Sequence, residues 1–311
     1  MYRTVASTVL MIKPKAFGYN PETAEDNLFM AKADQFATII HQTASKEQDT
    51  LIKLLRSKDI EVIVEDDTDA PKKPDAIFVN WLSFHNSGKV VLYPFKAPSR
   101  HAERRMDIID KMQKEHGFQL KELVDYSPFE KQGKYLEGMG SLVIDRINKV
   151  AYSCLSTRTH RDLVERFCAD FGFTPVIFSA EYVFGEQRKS LFYTNILISI
   201  GEHFALAALE LIPDIAQRNQ VRESLERGGK EVIELSADQA RNFAGNSICL
   251  RNNSDQQFVV MSKRAHRSLS EETQARISRF GEILSSDINT IETYGGGSVG
   301  HMMAPVFLPR A

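Results

Sequence analysis

The chain has 311 residues, 42% hydrophobic and 26% charged, with 39 Lys+Arg against 41 Asp+Glu and a formal net charge of -2. That is an ordinary foldable composition, and its near-neutral balance supplies no electrostatic pull toward nucleic acid or an anionic membrane. Cys154, Cys168 and Cys249 are too few, and odd in number, for a disulfide-stapled secreted module; they fit a reducing compartment, with the cytoplasm as the expected location. No run of about 18 apolar residues is present, so no membrane-spanning helix is expected.

In chain order, the first segment, Met1 to Ile12, is apolar and β-branched, and Lys13-Pro14-Lys15 follows it without a small-residue cleavage site. It reads as a buried strand rather than a signal sequence. Next come the strand Glu61–Val64 and a hairpin turning at His85-Asn-Ser-Gly88 into Gly88–Pro94. Leu120–Val124 is a further strand. A second hairpin turns at Arg146-Ile-Asn148 into Asn148–Cys154. Thr159 precedes a helix with the apolar face Leu163, Val164, Phe167, Cys168 and Phe171, stopped by Gly172. Pro175–Phe178, Glu202–Ala208 and Glu231–Glu234 read as strands, and Ser236 with Gln239 forms a capping box for a short helix before Gly245. The last hairpin turns at Arg251–Asp255 into Gln256–Ser262. Ser270 opens a helix with Glu271 and Glu272 in its first turn, and Asn289–Glu292 reads as a strand.

These elements repeat. The second hairpin strands start at 88, 148, 202 and 256, about 60, 54 and 54 residues apart. The unit is strand–strand–helix–strand, five times over, with the N-terminal strand pairing the C-terminal Met302–Leu308 segment. No unit can bury both faces of so small a sheet, so the five are expected to pack in a ring, as one α/β domain over 1–311, with ligands at the axis. An ordinary α/β sandwich is the alternative.

Five polar or Gly-rich segments fall at the same place in each repeat: Asn80–His85, Leu136–Ser141, Tyr193–Asn195, Ala244–Ser247 and Gly295–His301. In a ring, equivalent places converge on one pocket. Glu137, between an apolar strand and a Gly-x-Gly turn, would lose hydration unless it met a cation or several donors; a guanidinium or ureido group is one such partner, and backbone N–H groups are another. Gly295-Gly-Gly-Ser298 lets backbone approach closely but is not followed by the Gly-Lys-Ser/Thr of a P-loop. His301 is a candidate base or ligand, or a satisfied buried imidazole. His41, His101, His116, His160, His203 and His266 look like helix, turn or surface residues, and no pair has metal-site spacing, so no metal or other cofactor is expected. Cys154 and Cys168 read as structural, and Cys249 is the one thiol with a claim to the pocket. Arg100, Arg104 and Arg105 read as a solvated basic face.

The sequence resembles the citrulline-utilisation hydrolases, or arginine-deiminase-related proteins, of the amidinotransferase (pentein) superfamily. The resemblance runs nearly end to end. It rests on Met11-Ile-Lys-Pro14 with Phe17 and Asn20-Pro-Glu-Thr23, and on Pro74-Asp-Ala-Ile-Phe78 with Asn80-Trp81 and Ser83-Phe-His85. Val90–Pro94, Ala102–Arg105, Leu136-Glu-Gly138 with Gly140-Ser141, and Cys154-Leu-Ser156 with Arg158-Thr159 continue it. Thr194-Asn195, Asn242–Asn246, Gly295–Ser298 and Phe307-Leu-Pro309 complete it. It implies a five-bladed α/β propeller of pseudo-fivefold symmetry. It also implies thiolate attack on a guanidinium or ureido carbon, with a histidine handling protons and no cofactor.

The chain departs from this pattern where the chemistry lies. A motif similar to Gly-Gly-Gly-Ser-Ala-Arg-Cys-Met reads Gly295-Gly-Gly-Ser-Val-Gly-His-Met302 here, so His301 stands at the nucleophile's place and Gly300 at the neighbouring arginine's. A following acid is Pro305. The His-Thr-Asn motif reads Tyr193-Thr-Asn195, and an Asn-Asn-Trp segment reads Val79-Asn80-Trp81. Glu137, Asn195, Asn246, Asn80 and Arg158 remain as expected ligand-binding residues. Loss of a nucleophile and its base costs on the order of 10⁴–10⁶ in rate. The expectation is a catalytically silent relative that holds a guanidino or ureido compound. The alternative is an active C–N hydrolase with altered chemistry through His301, Tyr193 or Cys249.

Overall fold

A computed structural model describes residues 4–184 and 187–310, and the reading of residues 1–3 as strand lies outside them. Within this range are five three-stranded sheets of one topology and a separate hairpin, Glu181–Phe184 with Gln187–Ser190. In each sheet the middle strand pairs antiparallel on one side and parallel on the other.

The first sheet centres on Thr8–Lys13, which pairs antiparallel with Ala304–Pro305 and parallel with Glu61–Asp66. The second joins Leu82–Phe84, Lys89–Leu92 and Glu122–Asp125. The third joins Val143–Asp145, Val150–Cys154 and Thr174–Phe178. The fourth joins Ile198–Ile200, Phe204–Ala207 and Glu231–Glu234. The fifth joins Ile248–Arg251, Gln257–Ser262 and Glu282–Ser286. The parallel step is bridged by helices Ala37–Arg56, Met106–Lys114, Arg161–Phe171 and Ile215–Arg227 in the first four units, and by Lys263–Ser268 with Glu271–Ser278 in the fifth.

The period-2 alternation of a strand explains why the middle strands are apolar throughout. Val9 and Met11 pack into a core shared with the fifth sheet, whereas Leu10 and Ile12 pack into one shared with the second. Val90 and Leu92 face the first sheet, and Val91 and Tyr93 face the third. Phe258 and Val260 join the core with the first sheet, and Val259 and Met261 the core with the fourth. Each sheet is thus buried on both faces by its two neighbours. A fully buried ion pair, Lys230 Nζ to Asp145 Oδ2 at 3.2 Å, joins the third and fourth sheets.

Several sequence expectations need correction. Asn289–Gly295 is a helix, and the strand of that unit is Glu282–Ser286. Polar-flanked Thr-Ile-Glu has no alternation to hold it in a sheet. Thr159 does not cap the helix that follows; its hydroxyl donates to Ser141 Oγ at 2.7 Å and the N-cap is His160. Gly172 does end that helix, in the left-handed conformation, and the Ser236–Gln239 capping box is present.

Candidate active site

The polar segments sit just before the first strand of each unit. Asn80 precedes Leu82–Phe84, and Glu137 precedes the one-turn helix Gly138–Ser141. Tyr193 precedes a 3-10 turn, Thr194–Ile196, and His301 lies in the one-turn helix Val299–Met302. Two glycines make these turns possible. Gly138 has φ +50, and a Cβ there would lie 2.1 Å from Asn80 O. Gly296 has φ +60, and its Cβ would lie 2.5 Å from Asn27 Nδ2.

Asn80, Tyr193, Arg158, His301 and Gly295–Gly297 line one cavity together with Thr23, Asn27, Asp75, Phe78 and Arg100. The free space is about 20 Å³, room for a water molecule. Glu137 lies behind Tyr193. Its Oε2 accepts the Tyr193 hydroxyl proton, its Oε1 accepts from Lys96 N at 2.9 Å, and Arg158 Nη1 is 3.7 Å from Oε2. Arg158 Nη1 and Arg100 Nη1 stand 3.4 and 3.5 Å from the same phenol oxygen.

Both arginines carry their own counterions. Arg100 pairs with Glu103 at 2.8 Å and donates to Phe78 O at 2.9 Å. Arg158 pairs with Asp26 and donates to Thr23 O at 2.7 Å. Burial works against the charge on Arg158, but Tyr193, Glu137 and Asp26 outweigh it and hold the pKa above its ordinary value. Burial raises Glu103 to about 7 against the pull of Arg100. Asp75 Oδ2 is held by Asn20 Nδ2 at 2.7 Å and Thr23 Oγ1 at 2.9 Å.

His301 is 2% exposed, packed against the rings of Phe78 and Tyr193. Burial, with Arg100 and Arg158 adding to it, lowers its pKa to about 3, so the ring is neutral at ordinary pH. Neither ring nitrogen has a hydrogen-bond partner, nor does the Asn80 amide. Burial, with Glu137 behind it, raises Tyr193 above the usual phenol range. Burial pushes Cys154, Cys168 and Cys249 up to about 12. Cys249 lines a different cavity. Among the described residues no group of His, Cys, Asp and Glu is arranged to hold a metal ion.

The sequence-predicted residues therefore divide. Glu137, Tyr193, His301, Asn80 and Arg158 come together. Asn195 and Asn246 do not line this cavity: Asn246 Nδ2 donates to Asn195 O at 3.0 Å, and Asn195 faces the space that holds Cys249. Their places in the repeat are equivalent, and distance to the strand does not set them apart: Asn246 lies two residues before its strand, as Asn80 does, and Asn195 three before, as His301 does. Arg100 is not a solvated residue but a buried one, because Glu103, one turn on, accompanies it inward. Arg104 pairs with Glu130, and Arg105 with Asp107. Asp75 and Phe78 belong to the Pro74–Phe78 motif and Thr23 to the Asn20–Thr23 motif, both quoted above, which are the available signals for them; Arg100 and Asn27 have none.

The profile of the eukaryotic N,N dimethylarginine dimethylhydrolase family matches residues 13–308. No curated protein sequence matches the chain. Among solved structures it is similar to apo ArgZ, an arginine dihydrolase from the ornithine–ammonia cycle in cyanobacteria, at 17% identity and TM-score 0.69, covering 98% of this chain and 41% of that one. The substrate-bound N-terminal domain of ArgZ aligns at 18% identity and TM-score 0.69 over 96% of this chain and 97% of that one. A dimethylarginine dimethylaminohydrolase, as an adduct with S-methyl-L-thiocitrulline, aligns at 14% identity and TM-score 0.62 over 96% and 99%. The chain thus spans about two fifths of full-length ArgZ, and at these identities the likeness is one of fold.

Proposed function

The chain belongs to the eukaryotic N,N dimethylarginine dimethylhydrolase family, and from that premise we propose a relative of arginine-acting hydrolases that performs no C–N hydrolysis itself and holds a small guanidino or ureido compound. One observation carries the silent part. His301 stands in the cavity with no thiol beside it and no acceptor at either ring nitrogen. A neutral imidazole can attack through its unprotonated nitrogen, but the departing amine needs a proton and the water that releases the adduct needs a base, and neither is placed beside the ring. Tyr193 cannot substitute, because its hydroxyl already donates to Glu137 and its raised pKa keeps it protonated.

The ligand part rests on Glu137 and Asp75, two buried carboxylates at or beside one cavity. A guanidinium presents a planar fork of donors that a carboxylate accepts in pairs. Ligand uptake requires Tyr193 to leave Glu137, since the space now present takes only a water.

The same reading takes the five sheets as blades of one propeller domain over 1–311. Its supports are the common topology and the burial of each sheet between its neighbours, fifth against first included. The closer kinship with citrulline-utilisation hydrolases rests on the motifs quoted from the sequence. Three free, buried cysteines fit a reducing cytoplasm. No helix among the described residues is long and apolar enough to cross a membrane.

Incubation with arginine, citrulline, agmatine and dimethylarginine, following ammonia and dimethylamine, tests the proposal. No release above the uncatalysed rate is expected; turnover abolished by Glu137→Gln would overturn silence. Thermal shift with the same compounds should show a rise that Glu137→Gln removes. A flat response to all of them would overturn the ligand.

A further inference from the structure

A second cavity lies farther along the same inner strands and shares no lining residue with the first. Its free volume is about 120 Å³. Its walls include Ile144, Ile198, Ile200 and Phe307, and polar side chains interrupt them, Arg146, Asn195 and Ser247 among them.

Arg146 is the unusual one. Its guanidinium lies 4.0 Å over the Phe307 ring, and Nη1 is 3.2 Å from His85 Nδ1. Among the described residues no carboxylate is within ion-pair distance of it, whereas the other inward arginines, Arg100 and Arg158, each hold one. Burial lowers Arg146 to about 10, and lowers His85 so that the imidazole beside it is neutral. Arg146 is half-buried, and a half-buried cation without a countercharge gains from an anion that enters the cavity beside it. Asn195 Oδ1 and Ser247 Oγ are a second observation. Both residues are at least nine-tenths buried, both face this space, and both oxygens lack a partner. Buried polar atoms are normally paired; the Ser247 hydroxyl can donate to an entering carboxylate, and Asn195, whose Oδ1 only accepts, serves an anion through its NH2 group once the amide turns over.

We propose that this cavity binds a small carboxylate with a flat apolar body, its carboxylate on Arg146 and its body against Ile198, Ile200 and Phe307. Size sets the upper limit: an apolar cavity of about 150 Å³ accommodates benzene, so the present volume of about 120 Å³ admits at most a single small ring, with the carboxylate at Arg146 on its wall. The site is independent of the guanidino reading, since it uses other residues and recognises the opposite charge.

Sodium benzoate is the probe, with benzyl alcohol as the neutral molecule of nearly the same shape. Binding is followed by NMR of isoleucine methyl groups, with Ile144, Ile198, Ile200 and Ile248 as reporters in the cavity wall. Benzoate is expected to bind saturably with shifts centred on these methyls, and benzyl alcohol about tenfold or more weaker, as befits loss of a charge-assisted hydrogen bond. Arg146→Met should reduce benzoate to the level of benzyl alcohol. Absence of saturable benzoate binding, shifts centred elsewhere, or equal binding of the two probes would overturn the proposal. Should Arg146→Met fail to fold, the two-probe comparison on the unaltered protein decides the matter alone.

Discussion

Tyr193→Phe removes one oxygen from the candidate site and leaves the ring. In the folded chain that oxygen donates to Glu137 Oε2 and sits 3.4 and 3.5 Å from the guanidinium nitrogens of Arg158 and Arg100. Glu137 keeps Lys96 N at 2.9 Å on its other oxygen, and Arg158 at 3.7 Å is too far to replace the lost bond without moving. A hydrogen bond to a charged group contributes about 1.5–3 kcal/mol, and a buried carboxylate robbed of a donor loses that much. An unfolding entropy of about 2.1 cal/mol/K per residue gives about 0.65 kcal/mol/K for 311 residues, so Tm should fall by about 2–5 °C. Calorimetry measures it, and the same change in a Glu137→Gln background should cost clearly less, since the two residues are coupled. Arginine, meanwhile, should raise Tm more in Tyr193→Phe than in the unaltered protein, because Glu137 is released. An unchanged Tm, or the same drop in both backgrounds, would refute the account of Tyr193 as the group that occupies Glu137.

Two further outcomes follow from the same geometry. His301 titrates near 3 in the folded chain against 6.5 ordinarily, chiefly through burial, so its contribution to stability is present above about 6.5 and is lost as pH falls toward 3. His301→Gln should therefore flatten the urea-derived stability profile across that window, by about 1.4 kcal/mol per pH unit; coincident profiles would show that the ring is not buried neutral. Gly140→Ala would place a Cβ 2.6 Å from Tyr193 Cδ1 and 2.9 Å from its Cγ, an overpacking cost of about 1–3 kcal/mol by denaturant titration. The cost should shrink in a Tyr193→Ala background, where the ring that clashes is gone.

The repeat was legible because burial on both faces leaves a continuous apolar strand at a fixed interval. Val90 to Tyr93 and Phe258 to Met261 could hardly be anything else. The convergence of Glu137, Tyr193 and His301 followed from equivalent positions in equivalent units. What was not legible was depth. Asn195 and Asn246 occupy the same turns as cavity residues, at the same distances from their strands as His301 and Asn80, so spacing alone does not tell which side chain reaches the opening. Arg100 was misjudged because a cation is read as solvated unless its acid is known to follow it inward, and that depends on the turn Pro98–Glu103. Nor does the sequence show that Arg158, expected as a ligand contact, spends its guanidinium on Asp26 and Thr23.

The first sheet takes its middle strand from residues 8–13 and its antiparallel partner from residues 304 and 305. A ribosome makes one nearly three hundred residues before the other. Until residues 304 and 305 are made, that earlier strand has an open flank with unmated amide and carbonyl groups, available to any other extended chain. Closing so long a loop forms few contacts until most of the structure is already in place. Ala304 and Pro305 are therefore the stitch that closes the first sheet. Their loss would expose a sticky edge.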